Sequence, residues 1–165
     1  MVRTLIAFAA LAPLVLAAGA AAADRADEVD FVTRASAGDL MAVAESRVAL
    51  DRAADPRVAD FARRIVAERG GDEAALRRAA SGSGVAVPTA LDPGRAARLA
   101  SLRDLSGAAF DRAYLADQAE IHSNALTLYG DYMLLGDDPR LKALAIRMIP
   151  AAEAEFKAVQ ALSNR

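Results

Sequence analysis

Four polar residues sit where apolar side chains would be expected, and they are the places where this chain could do chemistry. Arg69 falls in the series Val58, Ala62, Ile65, Arg69, Leu76. Glu155 falls in Leu141, Ala145, Met148, Ala152, Glu155, Val159, Leu162, and His122 in Leu115, His122, Leu126, Tyr129, Met133. Glu45, a weaker fourth, lies near Met41, Ala42, Val48 and Ala49. Spacings of three, four and seven put residues on one face of a helix, so these side chains point inward with their apolar neighbours. An imidazole and two carboxylates are ligand types for a divalent metal. A guanidinium in the same set is not. A buried charge is costly unless it is paired, so Arg69 and Glu155 are expected to meet across the centre of a bundle, with His122 or Glu45 nearby. Taken singly, each residue has a plainer reading. Arginine packs its stem and keeps its head in water, a glutamate at a face edge is solvated, and a lone histidine is a hydrogen-bond partner.

The residue inventory excludes most other site chemistries. A ferritin-like di-metal carboxylate centre takes a Glu-x-x-His motif from each of two helices. Here Ala119 stands three residues before His122, and the chain has no second histidine. One imidazole with scattered carboxylates is a poor iron or zinc site. A serine triad would have to use His122, and no Gly-x-Ser-x-Gly turn exists. Gly82-x-Gly84 lacks the third glycine and preceding strand of a nucleotide loop. With no cysteine there is no disulfide, thiolate metal site or cysteine nucleophile. Twenty basic and 22 acidic residues give a net charge of −2, with both signs interleaved. The pI is about 5.4, and nucleic acid is set aside as a partner. No cofactor is expected, and nothing establishes a catalytic activity.

The elements that must position these residues are helical. Apolar residues make up 55% of the chain and aromatics only 5%, so alanine and leucine, leading helix formers, carry the apolar content. Helix one is expected over 27–54, and Asp55-Pro56 opens helix two, which runs to Ala80 with a bend at Gly70-Gly71. Asp60 with Arg64, and Glu73 with Arg77, are spaced to brace its outer face. Ser81 to Gly84 ends it, Val85 to Leu91 is an extended crossover, and Asp92-Pro93 caps a short helix to Arg103. Helix three is expected over 108–135, a turn at Gly136 to Pro139, and helix four over 139–162 with a kink at Pro150. Tyr114, Tyr129, Tyr132 and Met133 on helix three either line a pocket or form ordinary core, the simpler reading. The expected fold is all-α: an antiparallel four-helix bundle with a crossover loop and a short extra helix between helices two and three.

Residues 4–23 carry no charge, Arg3 precedes them, and Ala21-Ala22-Ala23 stands before Asp24. A basic start, an apolar stretch and a small-residue end form the pattern of a secretory signal peptide, with cleavage expected after Ala23. The competing reading is a retained anchor, which Pro13 and the weakly apolar Ala17 to Ala23 disfavour. The domains expected are a signal peptide at 1–23 and one helical bundle at 24–165, with no transmembrane helix after cleavage. The address expected from this pattern is export.

Several runs resemble the bacterial domain-of-unknown-function 4142 family. They are Asp30-Phe31-Val32, Phe61-Ala62-Arg63-Arg64-Ile65-Val66, Val85-Ala86-Val87-Pro88-Thr89-Ala90-Leu91 and the stretch from Leu105 to Leu115, joined by His122 and Pro150. The resemblance spans Asp30 to Leu162 and implies a ferritin-like helical bundle of the bacterial envelope. Members typically carry an acidic residue and a histidine where this chain has Glu68-Arg69, a glutamate near Ala42, and often a histidine where it has Glu155. If those positions bind metal in the family, this chain has lost most of the set, and the Arg69–Glu155 pair would fill the vacated space. The function expected is therefore a non-catalytic envelope bundle with a binding or structural role and no assigned partner. The alternative is a ferritin-like metal-binding protein or oxidoreductase using His122, Glu155 and Glu45.

Overall fold

The computed structural model describes the backbone of residues 12–164 and the side chains of residues 24–164. Among the described residues there are six helices and no strand: α1 (Ala12–Arg52), α2 (Pro56–Arg69), α3 (Asp72–Ala80), α4 (Pro93–Arg103), α5 (Gly107–Leu135) and α6 (Pro139–Ser163). Three of these helices start in the same way. Asp55, Asp92 and Asp138 cap α2, α4 and α6, each followed by a proline at the helix start. Their carboxylates accept from the backbone nitrogens of Arg57 (2.8 Å), Arg95 (3.0 Å) and Arg140 (2.7 Å). The cap uses a donor the helix leaves orphaned, and proline loses nothing there because its missing N–H would have no partner.

Two boundaries differ from the sequence reading. α1 begins at Ala12, well before the expected Asp27. The alanine-rich run Ala17 to Ala23 favours helix, and Pro13 lies in the first turn, where proline is tolerated. The first eleven residues of the expected leader lie outside the described residues. Among the described residues no helix is long and apolar enough to cross a membrane. The second difference is at Gly70-Gly71, which divides the expected helix two into α2 and α3 instead of only bending it. Two successive glycines remove side-chain support and carry the highest backbone entropy cost of any residue in a helix.

α5 and α6 are joined by the turn at 136–138, so they run antiparallel, and they share the most extensive contact in the molecule. α1 packs on α2 and α5, α3 on α6 and α1, and the short α4 on α1 and α5. The crossover is fastened to α1 by the Ser36 hydroxyl, which donates to the Pro88 carbonyl at 2.7 Å. The buried Asp111 of α5 accepts from the backbone nitrogens of Ala54 (3.0 Å) and Asp55 (2.8 Å), tying the α1–α2 corner to α5. On the outer face of α2, Asp60 pairs with Arg63 and not with the expected Arg64. Arg64 instead lies over the Phe61 ring, 5.8 Å from its centre. Glu73 and Arg77 pair as their spacing suggests.

The apolar interior is in two parts. One gathers Phe31, Val32, Leu76, Tyr132, Leu141 and their neighbours from α1, α3, α5 and α6. The other gathers Phe61, Ile65, Phe110, Tyr114 and Val159 with parts of α1, α2, α4 and α5. Buried polar residues interrupt the long stripes: Asp39 and Glu45 on α1, Arg69 on α2, Gln118 and His122 on α5, Glu155 on α6.

Pro150 lies on the exposed side of α6, which continues past it to Ser163. Its ring nitrogen cannot bond the Ile146 carbonyl, and Ile146 is itself exposed, so water can take that carbonyl. Replacing Pro150 with alanine should restore the bond and raise stability by about 1–3 kcal/mol. Urea unfolding of the two proteins measures it. An unchanged midpoint would show that packing of α6 on α5, not its own ladder, limits stability.

Candidate functional site

The polar residues that interrupt the stripes form two adjoining clusters. The first is built on Arg69, the last residue of α2, which is only 3% exposed. Its Nε donates to Glu155 Oε1 at 3.1 Å and its Nη2 to Glu155 Oε2, a two-pronged pairing that matches the fork of a guanidinium to a carboxylate. Nη1 donates to Asp39 Oδ1 on α1. Nη2 also lies 3.3 Å from Nδ1 of His122 on α5, and Asp72 at the start of α3 is 3.9 Å from Nε. One guanidinium thus holds groups from α1, α3, α5 and α6. It reaches them because the α2–α3 break at Gly70-Gly71 leaves Arg69 at a helix end facing the bundle axis.

The electrostatics follow from one cation facing three carboxylates. Burial works against the Arg69 charge, but Asp39 and Glu155 outweigh it, and the group stays protonated with its pKa raised. Burial pushes Asp39 up to about 6, with Arg69 pulling the other way and Asp72 and Glu155 adding to the rise. Burial likewise raises Glu155 and Asp72 against the pull of Arg69. For His122, burial and then the neighbouring Arg69 push the imidazole down to about 3, so it is neutral at physiological pH. Its Nδ1 lies 3.3 Å from both Arg69 Nη2, a donor, and Glu155 Oε2, an acceptor. Its Nε2 is buried without a hydrogen-bond partner. The imidazole stands perpendicular to Phe61, with centroids 6.2 Å apart.

The second cluster belongs to Glu45, which does not join Arg69. Its Oε2 accepts from Gln118 Nε2 at 2.8 Å. Burial first, and then the adjacent Asp117, push its carboxyl up to about 8, so it holds a proton at neutral pH. Asp117 in turn pairs with Arg98 of α4. Beside them, the hydroxyls of Ser46, next to Glu45, and Tyr114, one turn before Gln118, lie 2.8 Å apart. Tyr114, Tyr129 and Tyr132 are all buried, and Phe31 packs against both Tyr129 and Tyr132.

The structure therefore brings together three of the four residues singled out from the sequence, Arg69, Glu155 and His122, and sets Glu45 apart. The sequence reading missed Asp39, Asp72 and Gln118. Two were detectable. Asp39 lies in register between Ala35 and Ala42 on the buried stripe of α1, and Gln118 is four residues before His122 on α5. Asp72 gave no signal, because its approach depends on the break between α2 and α3. Among the described residues no three histidine, aspartate or glutamate side chains are arranged to hold a metal ion. Arg69 occupies the point on which Asp39, Glu155 and His122 converge, and Glu45 hands its oxygen to Gln118.

Fold and site together define an all-α helical bundle with an ionic cluster buried between two apolar cores. The chain belongs to the family described as domain of unknown function (DUF4142), whose model matches residues 14–162. No curated protein matches it. Among solved structures it is similar to a crystal structure of a DUF305 fragment from Deinococcus radiodurans. The two are 18% identical, with a TM-score of 0.71 over 84% of this chain and 96% of that one, a likeness of fold.

Replacing Arg69 with methionine keeps the volume and removes the cation, leaving Asp39 and Glu155 buried without their partner. The expected cost is about 3–5 kcal/mol, read by urea unfolding at neutral pH. Adding Asp39→Asn and Glu155→Gln should recover part of it. A loss below about 1 kcal/mol would mean that the carboxylates discharge by taking up protons. A separate expectation concerns Glu45. The folded state keeps a proton that the unfolded chain releases near the ordinary glutamate value, so stability falls as pH rises from about 4.5 through about 8. Asp39 acts in the same direction below about 6, and neutral His122 opposes both only below about 6.5. Stability should thus increase on going from pH 8.5 to 6.5, and Glu45→Gln should flatten that slope. A wild-type protein equally stable at both pH values would contradict it.

Proposed function

We propose that this protein is an exported, non-catalytic helical bundle of the bacterial cell envelope, of the ferritin-like four-helix kind, in which Arg69 takes the place of a metal ion. The observation that carries this reading is the convergence of Glu155, Asp39 and His122 on one guanidinium at the middle of the bundle. Carboxylates and an imidazole delivered from several helices to one point are how bundles of that kind hold metal. A fixed cation on the protein's own chain satisfies the same donors. It leaves no open position for water, oxygen or substrate, which a catalytic metal needs.

The same arrangement suits a structural or binding role. His122 is held neutral, and the carboxylates of the cluster are engaged by Arg69. Export is supported by the uncharged stretch 4–23 between Arg3 and Asp24. On this reading the leader is removed after Ala23 and the bundle works in the periplasm or against the outer membrane.

The test is elemental analysis of protein recovered from the periplasmic fraction, together with its N-terminal sequence. The expected result is a chain beginning near Asp24 with no stoichiometric metal. The Arg69→His variant, which supplies a second imidazole beside His122, Asp39 and Glu155, should take up about one equivalent of zinc. One metal per wild-type chain would overturn the ion-pair reading in favour of a metal-binding protein. A cytoplasmic product would overturn export, and an intact leader on an exported chain would overturn cleavage in favour of a retained anchor.

A further inference from the structure

Asp39 and Arg69 border two cavities. The one toward α4 and α5 has its mouth arginines already paired: Arg34 with Asp30, Arg95 with Asp92, and Arg98 with Asp117 and Glu120. The other lies between α1, the α2–α3 break and the end of the crossover, and has a volume of about 310 Å³. Much of its wall is apolar. Leu40 and Val43 come from α1, Leu76 from α3 and Leu91 from the crossover. Leu76 is buried, whereas Leu40, Val43 and Leu91 are only half-buried around this space. The charges that line it balance, Arg69 against Asp39 and Arg47 against Glu73, so it favours neither anion nor cation.

What the cavity offers besides apolar surface is hydrogen bonding. Asp39 uses Oδ1 for Arg69, and its Oδ2 takes no hydrogen bond from any described residue, although Asp39 is only 8% exposed. Among the described residues Thr89, Ala90 and Leu91 make no backbone–backbone hydrogen bond, so their N–H and C=O groups take partners from solvent or from a guest. The crossover is fastened just before them, at the Pro88 carbonyl.

Gly70 is an independent sign. It borders the cavity with φ −61°, a helical value that any L-residue adopts. The nearest atom to where its side chain would begin is the Val66 carbonyl oxygen at 3.9 Å, an ordinary contact. Neither conformation nor close packing calls for glycine there, and what it leaves is space at the inner end.

We propose that this cavity binds a small uncharged aromatic molecule carrying one N–H or O–H donor, about the size of indole. Leu40, Val43, Leu76 and Leu91 cover the ring, and the donor bonds Asp39 Oδ2. Arg69 neutralises Asp39, so a neutral donor suits that oxygen and an ammonium gains little. Covering the ring also takes the half-buried side chains out of water. The volume is at the small end of ligand pockets, which run from about 300 to 1,000 Å³.

The probe is indole, titrated into the full mature protein. The chain has no tryptophan, so indole emission reports binding without an indole background. Calorimetry and the amide shifts of residues 39–44 and 89–91 accompany it. Saturable one-to-one binding with a Kd of about 1 mM or tighter is expected for a ligand of this size. Val43→Phe enlarges a cavity wall at no cost in helix propensity. It should weaken binding at least tenfold with no fall in Tm. 1-Methylindole, which keeps the ring and lacks the donor, should bind about fivefold more weakly. The proposal is overturned by no binding at 5 mM, by an affinity that Val43→Phe leaves unchanged, by amide shifts confined to α4 and α5, or by 1-methylindole binding as tightly as indole.

Discussion

One guanidinium, buried among carboxylates, is the interaction on which the interior of this protein depends. Arg69 is the only group in its cluster that can carry positive charge at neutral pH, since His122 is held neutral. Asp39, Glu155 and Asp72 approach it from three other helices. Each carboxylate is tolerated inside the bundle because Arg69 is there, and Arg69 is tolerated because they are. Such a set is costly to assemble and worse to leave incomplete. It therefore fixes how far along each other α1, α2 and α6 can sit: sliding any of them by a turn would leave an ion unpaired.

The cluster also explains why the apolar interior is in two parts. The Phe31 core and the Phe61 core use the same long helices. Alanine is abundant on the facing stripes, and small side chains alone would let helices pack in several registers with little difference in energy. A polar layer between two such cores selects one register. Glu45 and Gln118 form a second, uncharged pairing one step along, where the carboxyl keeps its proton and needs no cation. The interior thus solves the problem of buried acids in two ways, by pairing at Arg69 and by protonation at Glu45.

The cavity on the α4 side of Arg69 lies against this layer without being part of the pairing. Asp39 and Arg69 close its inner end, and Arg34, Arg95 and Arg98, each paired with a carboxylate, stand at its mouth. The α4 segment, set off by the crossover and its own aspartate cap, supplies two of the rim arginines. A short extra helix is in this sense part of the cavity as much as part of the fold.

The sequence by itself determined the local structure. Composition made the chain helical, and Asp-Pro pairs marked three helix starts. The three-and-four spacing of apolar residues identified Arg69, His122 and Glu155 as inward-facing, because periodicity and capping depend on residues within a turn of one another. Only the tertiary structure decided which inward residues share a site. Asp39 and Glu45 lie less than two turns apart on the same helix, yet one joins Arg69 and the other bonds Gln118. Asp72 is drawn in by a break whose effect on direction no local rule records. Pairing across a bundle is set by the relative height and rotation of helices far apart in sequence. Those are fixed by the packing of whole faces, which no single stripe contains.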